Sequence, residues 1–422
     1  MNEAPPLAYR LIVFAFAPLF LAYTVWRSVK DGGWIYLKQR LGFSYPSETQ
    51  TADLWVHAAS VGEVTTVLPL LELALASSDH SIESILLTTN TPTAKQVLKK
   101  HDVAAITHAY LPVDFAFACS RFCSRLSTRR AWIVETEIWP RLYATCHQHQ
   151  IKLTIINARL SDKTLKHAAG LLRSSYEHAL TDVQVLARSP EDSTRYVSIG
   201  AEPTKVKTIG NLKYMDNRKS ANLKRLLQGD YIVAASTHDN EELQLAREWI
   251  KHDSLPLLVI VPRHPERASV ILHSLQKETG LSVKQRSAGE DPHTGDQLYL
   301  ADTLGELEAW YSGAQATFVG GSLIERGGHN MLEPARMGVP AIVGPHTYNF
   351  TDIMQLMIEK NAISVAQDVQ ALVMMLVSAA RGQAPFAERA QNAVMLAESF
   401  NRVGSLYLVE LIRPSSAKPG LT

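Results

Sequence analysis

Short runs of aliphatic residues recur along most of the chain. Each ends in a polar cluster and is followed by a longer stretch with helical spacing. The first series is Leu54–Ala58, Ser84–Thr88, Ala131–Val134, Lys152–Ile156 and Val183–Ala187, with helical stretches such as Val64–Ala76, Thr93–Lys100 and Ile138–His149 between them. A second series comprises Tyr231–Ala235, Leu257–Val261, Leu281–Lys284, Ala316–Val319 and Ala341–Val343. Alternation of this kind predicts parallel sheets covered by helices on both faces. Two series predict an α/β chain of two Rossmann-like domains facing a cleft. The join falls around Asn211–Gln228, where charge rises and apolar residues thin out.

The amino terminus breaks this pattern. Leu11 to Trp26 is almost uninterrupted apolar sequence, with Arg10 before it and Arg27, Lys30, Lys38 and Arg40 after it. A full bilayer span needs about 20 residues, so the segment is borderline, and Pro18 is expected to kink it. A signal peptide would want a basic start and a small-residue cleavage site; Met1-Asn-Glu-Ala is not basic and Ala22-Tyr23-Thr24 is a poor site. A soluble core helix would not be apolar on every face. The segment therefore reads as a membrane anchor, spanning or half-inserted, with the basic cluster keeping the following domain on the cytoplasmic side.

Composition narrows the rest. At 422 residues, two domains are expected. The 42 basic and 41 acidic residues are balanced, which argues against bulk nucleic-acid binding. Cys119, Cys123 and Cys146 include no C-x-x-C pair, so reduced thiols are expected rather than a disulfide frame.

Candidate chemistry gathers where the runs end. Val319-Gly-Gly-Ser-Leu-Ile-Glu-Arg-Gly-Gly-His-Asn-Met-Leu-Glu-Pro-Ala335 leaves a strand at Gly320 and Gly321, crosses a loop through Gly327 and Gly328, and enters a helix near Asn330. Such a loop presents backbone N–H groups and a helix start to a phosphate, and Glu333 suits ribose hydroxyls. Glycines alone, however, also suit a plain turn; His329, Asn330 and Glu333 make the case. His57-Ala-Ala-Ser-Val-Gly-Glu63 places Ser60 and Gly62 before a carboxylate at a helix start, suited either to taking a proton or to complementing the helix dipole. Thr89, Glu135, Glu137 and Arg159 follow other strands, and either glutamate also fits as a cap. His238 lies in Ser236-Thr-His-Asp-Asn-Glu-Glu242, and Lys213 at the interdomain edge. Arg263 is placed to clamp an anion or, more plainly, to pair with Glu266.

These motifs carry a resemblance. His57–Glu63, Leu87–Thr93, Tyr110–Phe115, Glu135–Pro140, Asn157–Ser161, Gly210–Lys213, Ala234–Glu242, Val261–Arg267, Val319–Ala335 and Gly344–Phe350 run in order as they do in the 3-deoxy-D-manno-octulosonic acid (Kdo) transferases of lipopolysaccharide synthesis, which the chain resembles along most of its length. The resemblance implies a GT-B fold divided as 1–40 anchor and basic juxtamembrane segment, 41–212 acceptor-binding domain and 213–422 donor-binding domain with C-terminal helices. It implies a CMP-Kdo donor, a lipid A precursor (lipid IVA) as acceptor, and placement among inner-membrane lipids at the cytoplasmic face. No metal, cofactor or nucleic-acid partner is implied. Glu63 would be the general base. Lys213, His238, Arg263, Gly320, Gly321, Gly328, His329, Asn330 and Glu333 would serve the donor, and Ser60, Gly62, Thr89, Glu135, Glu137 and Arg159 the acceptor. Two departures are local: Ile324-Glu325, where a proline is expected before Arg326, and Met331. Neither removes a ligand. Another GT-B enzyme such as a nucleotide-sugar epimerase, or a non-catalytic membrane-associated protein, stays open on the residues alone.

Overall fold

The computed structural model describes residues 4–77, 82–101, 103–168, 170, 172–215, 225–252 and 255–412. The chain divides into two units, Met1–Asn217 with Phe400–Thr422, and Arg218–Ser399.

The first unit carries β1 (Leu54–His57), β2 (Ile85–Thr89), β3 (Ile106–Tyr110), β4 (Arg130–Val134), β5 (Lys152–Ala158), β6 (Gln184–Ala187) and β7 (Val206–Thr208). They form one parallel sheet in the order β3-β2-β1-β4-β5-β6-β7. Successive residues of a strand enter different cores, as the two-residue period of a strand requires. Trp55, Ile133, Ile155 and Val185 pack on one face, and Val56, Trp132, Ile156 and Leu186 on the other. Burial on both faces explains the unbroken apolar runs. Each fully buried side chain of this kind contributes about 1.5–3 kcal/mol.

The second unit repeats the plan with β8 (Tyr231–Thr237), β9 (Leu257–Pro262), β10 (Lys284–Gln285), β11 (Leu298–Leu300), β12 (Ala316–Val319), β13 (Ala341–Val343) and β14 (Ser364–Val365). Their order is β10-β11-β9-β8-β12-β13-β14, again parallel. Both sheets therefore reverse direction of growth once, between β1 and β4 and between β8 and β12. In an open α/β sheet, ligands bind off the carboxyl ends of the strands at that switch point.

The expected division differs from this one at its carboxyl end. The final helix, Phe386–Ile412, begins in the second unit, but from Phe400 onward it belongs to the first. Val403, Tyr407 and Leu411 join the first unit's core beside Val56 and Trp132. The Tyr407 hydroxyl accepts the Asn157 N–H at 3.1 Å and donates to the Gly210 carbonyl at 3.0 Å. Helical spacing predicts an amphipathic helix here but not which sheet it covers.

At the amino terminus, helix α1 (Leu7–Arg27) runs through Pro18, a five-residue π-turn follows, and α2 (Gly33–Arg40) leads into the sheet. Leu7 to Arg40 is long and apolar enough to cross a membrane, and little of it is buried. Phe14 is 81% exposed and Trp34 66%. Helix α2 is two-faced. Tyr36 stacks edge-on against Tyr110 and Gln39 accepts the Tyr110 N–H, whereas Trp34 and Ile35 face outward. Lys30 and Lys38 lie over the Trp26 and Trp34 rings, 4.9 and 5.8 Å from their centroids. Arg40, expected to face the membrane, instead turns inward and donates to Asn90 Oδ1 at 2.8 Å and to the Leu111 carbonyl at 2.7 Å.

Candidate functional site

Helix α3 (Val61–Leu75) follows β1 after a turn capped by Ser60. The Ser60 hydroxyl accepts the Glu63 N–H and donates to Glu63 Oε1 at 3.0 Å, while the Ala59 N–H donates to Glu63 Oε2 at 2.8 Å. This is close to a capping box, with the carboxylate reaching the N–H of Ala59, one residue ahead of the cap, instead of that of Ser60, so Glu63 does fill the capping role that its position suggests. Each carboxylate oxygen still has a second lone pair free. Burial pushes the Glu63 carboxyl up to about 7, the charges of Glu137 and Glu135 add to it, and the two hydrogen bonds only partly offset the rise. A β-carbon at Gly62 would meet nothing nearer than the Ser60 hydroxyl at 4.0 Å, and the residue is exposed. The fold does not demand glycine there. Its absence of side chain leaves the approach to Glu63 open.

Across the switch point, β4 ends at Glu135. Its φ is +60°, a conformation that favours glycine and that glutamate adopts at a cost. Its N–H continues the ladder to the Ile156 carbonyl, and its carbonyl accepts the Tyr196 hydroxyl. Burial raises the Glu135 carboxyl against the pull of Arg159, Arg188 and Lys213. Arg188 is itself held by Asp192 at 2.9 Å. Glu137 plays another part. It accepts from the Trp139 indole at 2.8 Å and from Asn90 at 3.2 Å, and stands 3.6 Å from the buried His57 Nε2. Burial pushes its carboxyl up, but His57, Trp139 and Arg40 outweigh it and hold Glu137 below the usual range. Glu137 is thus a fixed charge beside a rising one. Thr89 is buried, its hydroxyl held between His108 Nε2 at 2.9 Å and the Thr91 carbonyl, so its side chain serves the interior rather than a ligand.

Lys213, expected with the second domain, stands in the first unit, exposed on the turn Leu212–Tyr214 and among the charges around Glu135.

In the second unit the glycine loop leaves β12 as expected, but several of its amides are already engaged. The Gly320 N–H donates to the Ala235 carbonyl, and the Gly328 N–H to the Gly321 carbonyl. The N–H groups of Gly321 and Leu323 donate to the two oxygens of Glu241 at 2.7 and 3.0 Å, and that of His238 to Glu241 Oε2 at 2.9 Å. Glu241, which no sequence argument singles out, is fully buried and fills the anion nest from inside. Gly320 is required on packing grounds, since a β-carbon would sit 2.7 Å from the Ser236 carbonyl oxygen.

Side chains remain for a ligand. His238 and His329 stack with planes 6° apart, and their Nε2 atoms are 2.8 Å from one another. Burial pushes His329 down to about 4, helped by His238, Arg263 and His264. His238 is likewise lowered, by burial first and then by His264 and nearby arginines. A hydrogen bond between the two rings needs one Nε2 to carry the proton and the other to accept it, which two neutral imidazoles can do. Gly321, at φ +66°, borders the pair, with an added β-carbon 3.1 Å from the His329 ring. Arg263 is exposed at the end of β9, and among the described residues its guanidinium forms no ion pair; Glu266 pairs with His264 instead, at 3.1 Å. Arg267 is committed to Glu242 and Asp239. Asn330 Oδ1 accepts the Leu332 N–H, and its amide donates to Glu333 at 3.1 Å, which fixes Glu333 at the start of the helix Leu332–Arg336. Among the described residues no group of three or more His, Cys, Asp or Glu has metal-binding geometry.

Two doubly wound units, one with a raised carboxyl at its switch point and the other with a cationic, imidazole-rich cluster at its own, make a two-unit α/β architecture of the GT-B class. Residues 36–216 match the family of 3-deoxy-D-manno-octulosonic-acid transferases. The chain is 32% identical over 420 residues to the 3-deoxy-D-manno-octulosonic acid transferase of Haemophilus influenzae, covering 96% of this chain and 97% of that one. It is 32% identical over 390 residues to the enzyme of Bordetella pertussis, covering 86% and 88%. A crystal structure of the C-terminal CMP-Kdo binding domain of WaaA from Acinetobacter baumannii is 35% identical, covering 41% of this chain and 88% of that one at a TM-score of 0.36. The chain belongs to the Kdo transferase family.

Proposed function

We propose that the protein moves Kdo from CMP-Kdo to a lipid A precursor, lipid IVA, by direct displacement with Glu63 as general base. The observation that carries this reading is the Glu63 carboxyl, held near 7 beside an open approach at Gly62. A base with a pKa near the working pH is both largely ionised and strong enough to take a proton. As an acceptor hydroxyl attacks the anomeric carbon of Kdo, Glu63 removes its proton. The new C–O bond forms, the bond from Kdo to the cytidylate oxygen breaks, and CMP departs with that electron pair.

Charge building on the departing phosphate falls mainly to side chains, because the loop's Gly321 and Leu323 amides are engaged by Glu241 and those of Gly320 and Gly328 by backbone carbonyls. Arg263 is the cation we assign to it, with His238 and His329 beside it and Gly328 in the loop. Asn330 presents Glu333 to the ribose hydroxyls. The reading needs no metal ion, since CMP leaves as a stable phosphomonoester next to a guanidinium. On the acceptor side, Ser60 holds Glu63, Glu137 and Glu135 raise its basicity, and we assign anionic groups of the acceptor to Arg159 and, in place of the donor role expected for it, to Lys213, which belongs to the first unit.

Helix α1 anchors the enzyme in the inner membrane at its cytoplasmic face, where the amphiphilic acceptor is found. Lys30 and Lys38, riding on tryptophan rings, reach lipid phosphates. The test is direct: full-length protein in detergent is mixed with CMP-Kdo, generated in situ, and tetraacylated lipid A precursor, and the products are weighed by mass spectrometry. A gain of one or more Kdo masses is expected. No gain from protein that still binds CMP would refute the acceptor assignment.

A further inference from the structure

Helix α1 does more than show apolar residues to its surroundings. Between it and the first unit runs a cavity of about 350 Å³, with Ile12, Phe16 and Phe20 on one wall and Trp139 and Leu172 on the other. From Ile12 to Phe20 the helix rises about 12 Å, so the cavity is elongated along an apolar wall. Phe16 and Phe20 are about half exposed, so this wall is accessible from outside. The lining also carries polar residues, Thr136 and Glu137 among them. Glu137 is one of the two carboxylates whose charge acts on Glu63.

The chemistry of the lining selects the occupant. No lysine or arginine lines the cavity, so it does not take a phosphate, and its aromatic and aliphatic walls suit an alkyl chain. A polar feature interrupts them. Ser175 also lines the cavity, is fully buried, and its hydroxyl has no hydrogen-bond partner among the described residues.

We infer that this groove holds one acyl chain of the acceptor, laid along α1 with its sugar end at Thr136 and Glu137. The anchor helix thereby becomes part of the acceptor site and measures chain length. This rests on the acceptor being an acylated sugar.

The experiment uses the full-length enzyme in detergent micelles and a series of the same phosphorylated disaccharide carrying progressively longer acyl chains. Wild type is expected to show kcat/KM rising at least tenfold with length up to an optimum. Ile12→Trp, which fills the groove, moves the optimum to shorter chains, and Phe16→Ala, which widens it, moves it to longer ones. Opposite shifts from two substitutions on one helix are not a signature of poor folding. An unchanged length profile in both variants overturns the inference. So does an unchanged profile with weakened co-sedimentation on phosphatidylglycerol vesicles, which would make the groove a contact for bulk lipid. No transfer by wild type to any member of the series is a separate result, which sinks the acceptor assignment itself.

Discussion

Glu241 Oε2 accepts the N–H of Gly321 at 2.7 Å, and Glu241 Oε1 takes that of Leu323 at 3.0 Å. The loop that looks built for a phosphate is thus braced by an internal carboxylate, and in the proposed function we accordingly assign the donor's phosphate to Arg263 and the imidazoles. Glu241→Ala leaves several buried N–H groups unpaired and is expected to lower stability by about 3 kcal/mol or more in urea unfolding. Glu241→Gln, with one accepting oxygen instead of two, is expected to fall between. Stability unchanged in Glu241→Ala would contradict the bracing role.

Gly62 separates fold from function. An alanine β-carbon there meets open space, and alanine is the better helix former by about 0.5–1 kcal/mol. Gly62→Ala is therefore expected to match or exceed wild type in Tm while kcat/KM for the acceptor falls at least tenfold. Full activity would show that nothing approaches Glu63 from that side.

Arg263 is argued to grip the donor phosphate as a planar fork. Arg263→Ala is expected to weaken CMP binding 10- to 100-fold by calorimetry, and Arg263→Lys to restore little of it, because an ammonium cannot make the bidentate contact. Thermal stability is expected to stay level, since the exposed guanidinium has no ion pair among the described residues. Restoration by lysine would reduce the contact to simple charge.

The outward face of α2 bears Trp34 and Ile35, while its inner face is locked to Tyr110. The double substitution Trp34→Glu and Ile35→Glu is expected to halve co-sedimentation with anionic vesicles without changing CMP binding. Unaltered sedimentation would assign membrane attachment to α1 alone.

The sequence exposes much of this, for physical reasons particular to each place. Central strands such as Tyr231–Thr237 are buried on both faces and read as unbroken apolar runs, so the two sheets are legible. The edge strand Ile106–Tyr110 is not, because Thr107 and His108 interrupt it and its first residues are only half-buried. The run Leu281–Lys284 yields a strand only at Lys284–Gln285. Helix α3 starts at Val61 rather than Val64, since Ser60 and Glu63 cap it from ahead of the apolar stripe. Among site residues, those just after central strands are brought to the switch points: Glu63, Glu135, His238 and the Gly320–Glu333 segment. What spacing does not convey is which group spends itself inside. The Thr89 hydroxyl meets His108, the Gly321 and Leu323 amides meet Glu241, some 80 residues away, and Arg40 turns from the membrane to Asn90.

The central claim is that Glu63 takes the proton. Its carboxyl is raised from 4.5 to about 7 in the folded protein. The folded state thus holds that proton more tightly than the unfolded chain, so this group costs stability as pH rises from about 4.5 to about 7, and Glu63→Gln removes that part of the loss. For catalysis the ionised form is needed, so kcat/KM, which reports the free enzyme, should climb with pH and level off above about 7. The decisive measurement is the pH profile of kcat/KM for wild type and Glu63→Gln, with CMP binding checked in both. The expected result is a rise centred near 7 in wild type and a loss of 10²- to 10⁴-fold in the variant, which no longer follows that titration. A variant that binds CMP, keeps more than a tenth of the rate and follows the same profile would contradict the account.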